Sequence, residues 1–137
     1  MPTLSSVPHH SSVTTVPLVV GGLAVHGVAH LAGTSAALKA IHDHDAVTIL
    51  GGTFTAGSRG SLLVLAAIWT AISVLFVVSA ACVGARSIRA RTVLTVATVA
   101  SLLMSVVSLW AAVIGVAIDL VILTAIYTAP QSFDFDE

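Results

Sequence analysis

The chain has 137 residues, of which 57 % are hydrophobic and 8 % charged; the net charge is -1 and the mean hydropathy +1.07. A soluble domain carries about 25 % charged residues, so 5 basic and 6 acidic side chains could not cover a water-facing surface of this size. The composition excludes a soluble enzyme, a disordered tail and a basic nucleic-acid binder, and points to an integral membrane protein with lipid as its main solvent. The single cysteine, Cys82, excludes a disulfide framework, a redox pair and a thiolate zinc site.

The N-terminal segment, with Pro2, Pro8, His9 and His10, lacks a basic region, so no cleaved signal peptide is expected. A helix needs about 20 apolar residues to cross a core of ~30 Å, and four stretches qualify. The first runs from Val16 to Gly33 and could continue to Ile41; it contains Gly21, Gly22, His26, Gly27, His30 and Gly33. An outer loop over 41–60 follows, apolar from Ala46 to Ser58, too short to span and suited to dipping into the interface or capping the bundle. The second stretch, 61–85, has no charge, nor has the third, 92–109. The fourth, 110–129, carries Asp119 and ends at Pro130, which cannot continue a helix. The third and fourth touch. Joined they would measure about 57 Å, too long for one crossing, so a tight turn is expected at Ser108–Leu109–Trp110, with Trp110 at the interface. The expected fold is an all-α integral membrane bundle of four transmembrane helices in one domain. Arg86, Arg89 and Arg91 fall in one loop and place it in the cytoplasm, which puts both termini there too.

Three ionisable residues fall inside the spans: His26, His30 and Asp119. At 1.5 Å per residue, His26 lies ~15 Å and His30 ~21 Å from the inner boundary, and Asp119 ~17 Å. His26 and His30, four residues apart, share a helix face. A His–Asp contact at mid-membrane follows if the first and fourth helices are neighbours. Trp69, Thr70 and Ser73 on the second helix and Ser101 on the third reach the same depth, so a polar layer is expected there. Two roles compete for it. It either locks helices together, because each group buried alone is costly, or serves as a site for protons, a metal or haem.

Two histidines at i, i+4 can grip a transition metal. A zinc-protease motif is excluded, because Gly27 stands where its glutamate would be and the chain's one Glu is Glu137. Haem on His26 and His30 would need a second chain or another ligand. His42, Asp43, His44 and Asp45 offer imidazole and carboxylate, but alternate residues diverge in a strand and neither pair reaches i, i+4 in a helix; a solvated collar ending the first helix is the simpler reading. Small residues, including Ala29, Gly33 and Gly115, allow close helix approach and a homodimer or larger membrane complex. No nucleophile–base pair, phosphate loop or sizeable soluble loop is visible.

The segment Val25-His26-Gly27-Val28-Ala29-His30-Leu31-Ala32-Gly33 resembles the start of small four-helix membrane proteins of bacteria and archaea, whose first helix reads HGxxHLxG. Their last helix carries Gly and then a polar residue before an aliphatic run, as in Gly115 to Leu123 here; Asp119 stands where that family usually has Asn. The resemblance covers the first and fourth helices and implies a fold without a function.

The residues therefore support an accessory or interaction subunit with a buried His/Asp layer. The alternatives are a proton-coupled small transporter using Asp119 and His26, and a haem- or metal-binding redox module using His26 and His30.

Overall fold

Pro17 lies in the first turn of the first helix, where its missing N–H goes unnoticed. From there the chain is almost wholly helical. A computed structural model describes residues 15–108 and 113–129. Its helices are α1 (Thr15–Ala29), α2 (Leu31–Asp43), α3 (Arg59–Gly84), α4 (Ala90–Val107) and α5 (Val113–Thr128), and a two-stranded hairpin, β1 (Val47–Ile49) and β2 (Phe54–Ala56), links α2 to α3. The class is all-α. Three helical stretches, 16–43, 59–84 and 90–107, are long and apolar enough to cross a membrane. The shorter α5 is also apolar.

The first helical stretch is longer than the expected 16–33. It continues to Asp43 through a tightened turn at His30, whose N–H bonds to Gly27 O while Gly33 N–H bonds to His30 O. These i→i−3 bonds wind the chain more tightly than an α-helix and re-aim α2 relative to α1. The helix stops where His44 takes a left-handed conformation (φ 54) and Asp45 N–H reaches back to Ala40 O, a Schellman-type end. The segment linking α2 to α3 is correspondingly shorter than 41–60, and it carries the hairpin. Val47 pairs with Ala56, Thr48 with Thr55 and Ile49 with Phe54 around a turn through Leu50, Gly51 and Gly52. This hairpin sits over the end of the bundle, covering a cavity of about 430 Å³ floored by Gly33, Leu65 and Trp69. The Ser58 hydroxyl caps α3 by accepting from Ser61 N–H. Leu109 and Trp110, where the turn between the last two helices is expected, lie outside the described residues.

Helices α1 and α2 both pack on α3, α3 on α4, and α4 on α5. Val20 lies beside Gly84 and Gly27 beside Phe76, so α1 and α3 run antiparallel; Ser105 beside Gly115 and Ser101 beside Asp119 show the same for α4 and α5. Glycine permits the closest approaches. A Cβ on Gly27 would stand 2.9 Å from Phe76 Cβ, and one on Gly33 would stand 2.5 Å from the Trp69 ring.

The distribution of polarity is inverted relative to a water-soluble bundle. Leu18, Val64, Val74, Leu103, Ile114 and Val121 are exposed, while His26, His30, Ser73, Ser79, Thr98, Ser101, Ser105 and Asp119 are buried. Ser79 and Thr98 satisfy their hydroxyls on the carbonyls of Leu75 and Leu94, one turn back.

Candidate functional site

Four side chains from three helical segments meet in the core. The i, i+4 spacing puts His26 and His30 on the face of the first stretch that turns toward α3, α4 and α5. His26 Nε2 lies 2.9 Å from Asp119 Oδ1. Ser101 Oγ donates to Asp119 Oδ2 at 2.6 Å and lies 2.9 Å from His30 Nε2. Asp119 and Ser101 are fully buried, and both histidines are nearly so.

The connectivity assigns the hydrogens. An ionised Asp119 only accepts, so Ser101 spends its one hydrogen on Oδ2 and must accept from His30 Nε2–H. His26 donates Nε2–H to Oδ1. The row His30–Ser101–Asp119–His26 is then continuous, and Nδ1 of each ring stands outside it.

Aromatic rings hold the histidines. His30 stacks on Trp69 (centroids 5.4 Å apart, planes at 23°) and on Phe76 (5.5 Å, 15°), two residues separated by two turns of α3. His26 meets Phe76 edge to face at 4.7 Å and His30 at 4.8 Å. Gly33 and Gly27 make room for the Trp69 indole and for Phe76, respectively. The pattern His-Gly-x-x-His-x-x-Gly is thus one steric and polar unit: two rings, and two gaps that admit the aromatics packed against them.

Trp69 is therefore part of the site. Ser73 is buried next to Gly27 without joining the hydrogen-bonded row. Thr70 is exposed and pairs with Thr34 at 3.1 Å. His42 and His44 are exposed and distant from the core set, and Lys39 pairs with Asp43 on the same stretch. Among the described residues no group of three or more His, Cys, Asp or Glu is arranged to hold a metal ion. His26 and His30 would have to release Asp119 and Ser101 to offer Nε2 to one.

One contributor escapes sequence reasoning. Phe76 looks like any apolar residue of its span, and only its packing against both imidazoles reveals it. Ser101 and His30, both expected in the polar layer, also stand at nucleophile–base distance, a pairing not visible in the sequence. The wiring differs from a hydrolase triad, in which the carboxylate orients the histidine that activates the serine. Here the carboxylate takes the serine hydrogen directly, and Ser101 has no exposed surface for a substrate.

Comparison of the chain with protein families, curated proteins and solved structures yields no match.

Proposed function

We propose that this chain is a multi-pass integral membrane protein with four crossings and both termini cytoplasmic, acting without catalytic machinery as an accessory or interaction subunit. The observation that carries the reading is the His26–Asp119–Ser101–His30 row. It ties three helical segments together at one depth, with both carboxylate oxygens, the serine hydroxyl and one nitrogen of each ring engaged. Buried polar groups that satisfy one another fix which helix faces meet, and so which apolar faces remain outward for partners. The four-crossing arrangement is supported by the apolar outward surfaces, the antiparallel helix order and the likeness of α1 to the HGxxHLxG proteins. The fourth helix is apolar and rises ~24 Å over its described residues, against a core of ~30 Å. A homodimer fits the same outward faces.

The test combines placement and assembly. In a Cys82→Ser background, Thr53→Cys is expected to react with an impermeant maleimide in intact cells, and Ser87→Cys only after permeabilisation. The triple variant His26→Ala/His30→Ala/Asp119→Ala is expected to lose both abundance and co-purifying partners. Wild-type assembly by that variant would remove the role given to the layer.

A second reading, a proton-coupled carrier, is favoured by the continuity of the row, which has a proton-accepting nitrogen at each end. Asp119→Asn separates the two, because it preserves hydrogen bonding but cannot ionise. Full transport by the Asp119→Asn variant would eliminate the carrier. The redox reading, with haem or a transition metal on His26 and His30, requires a Soret band or one metal per chain that vanishes in His26→Ala/His30→Ala.

A further inference from the structure

The ends of the bundle's helix order, α1 and α5, are not packed along their lengths. A groove of about 430 Å³ opens between them. Its walls come from residues 19–29 of α1 and 118–125 of α5, with Leu94 of α4 beneath. Over ten residues α1 rises ~15 Å, about one leaflet. The groove starts at the level of the His26–Asp119 bond and runs toward the end of the bundle that carries the Arg86–Arg89 loop. Every lining side chain is apolar or absent except His26.

His26 stands in that wall in a defined state. Asp119 engages Nε2 and thereby fixes both the ring plane and the position of Nδ1. Nδ1 takes no part in the row, and His26 itself lines the groove. A carboxylate-oriented imidazole with its second nitrogen free is an arrangement that receives a hydrogen-bonding group.

We propose that the α1–α5 groove binds a neutral, membrane-soluble molecule with an apolar body and one carbonyl or hydroxyl at its inner end, the chemistry shared by quinones and terpenoid alcohols, with His26 Nδ1 as its polar contact. A carbonyl accepts from Nδ1–H when the ring carries a second proton; a hydroxyl donates to Nδ1 when it does not. A phospholipid chain entering from the near surface would place a methyl group against His26 and leave Nδ1 unmatched. The volume lies within the range of small-molecule sites, about 300–1,000 Å³, and a ligand of this kind enters sideways from the bilayer without crossing an interface. The location within one leaflet rests on the membrane reading above, whereas the groove's ligand does not; binding in detergent tests the second alone, and maleimide labelling tests the first.

The experiment is equilibrium binding to purified full-length protein in detergent, with decylubiquinone, farnesol and a plain hydrocarbon of matched length as probes. Gly22→Leu fills the groove from a position where added carbon meets nothing within 4 Å. His26→Gln keeps an amide donor for Asp119 while removing Nδ1. Expected is saturable binding of decylubiquinone, farnesol or both. Gly22→Leu abolishes it without loss of thermal stability, and His26→Gln weakens it about tenfold, the worth of one hydrogen bond. Which polar probe binds distinguishes a quinone from an alcohol site. Equal binding of the hydrocarbon, binding indifferent to Gly22→Leu, or no saturable binding of either polar probe would overturn the proposal and leave the groove as a surface covered by bilayer lipid.

Discussion

His26 and Asp119 are 93 positions apart in the chain and 2.9 Å apart in the fold. Their bond bridges α1 and α5, which elsewhere face each other across an open groove. It therefore closes a bundle whose other neighbours are joined by packing, and its loss has a predictable size.

Asp119→Ala removes the acceptor of both His26 and Ser101. Breaking one side of a buried pair costs about 3 kcal/mol. Asp119→Asn retains an oxygen for His26 and turns an amide donor toward Ser101, whose hydroxyl then donates to His30 in its other tautomer. The cost is about 1 kcal/mol, the scale of a hydrogen bond within a membrane bundle. Reversible unfolding in mixed micelles, followed by circular dichroism, is expected to rank wild type first, Asp119→Asn next and Asp119→Ala last. Identical midpoints for Asp119→Ala and wild type would show that the pair does not hold the helices.

Ser101 and Ser105, one turn apart on α4, predict opposite results. Ser101 links Asp119 to His30, so Ser101→Ala strands two buried groups and destabilises by about 2 kcal/mol. The Ser105 hydroxyl is buried with no partner among the described residues. Ser105→Ala is then neutral or stabilising by up to about 1 kcal/mol, because it removes an unmet desolvation cost. The same unfolding assay decides, and a loss of stability in Ser105→Ala would reveal a partner such as a bound water.

The glycines of the first helical stretch divide in the same way. Gly33→Ala drives a methyl into the Trp69 indole and Gly27→Ala drives one against Phe76, close to its backbone. Overpacking of this kind costs about 1–3 kcal/mol. Gly33→Ala also shifts the fluorescence of Trp69, because the indole must leave its stack on His30. Gly21→Ala meets nothing within 4 Å and is expected to stabilise by about 0.5–1 kcal/mol through helix propensity. Equal effects at 21 and 33 would contradict the packing.

His44 ends α2 with φ 54, a conformation that suits glycine. His44→Gly is expected to raise stability by up to about 1 kcal/mol, without changing any metal content of the protein. Metal that disappears with His44→Gly would instead give the His42–His44 segment a ligand role.

The all-α class, three helical stretches long and apolar enough to span, and the buried polar layer are legible in composition and spacing, because hydropathy and a 1.5 Å rise act locally along the chain. The first stretch, expected over 16–33 and able to continue to Ile41, runs to Asp43, because polar residues at the end of a helical stretch lower its hydropathy without breaking its hydrogen bonds. The hairpin is faint in the sequence, although Val47-Thr48-Ile49 and Phe54-Thr55-Ala56 are β-prone triplets flanking a Gly-Gly turn; inside an apolar segment their alternation hardly shows.

Counting residues along the chain under a four-crossing reading is enough to bring His26, His30 and Asp119 to a similar level, since position along a helix follows from its rise. Their wiring comes from the packing of the helices. Ser101, rather than either ring, takes the second oxygen of Asp119; Phe76 and Trp69 enclose His30; and α1 parts from α5 to leave His26 in a groove wall. Each of these depends on the rotation of one helix about its axis against another, and that rotation is set by close contacts such as Gly33 on Trp69 between residues far apart in the chain.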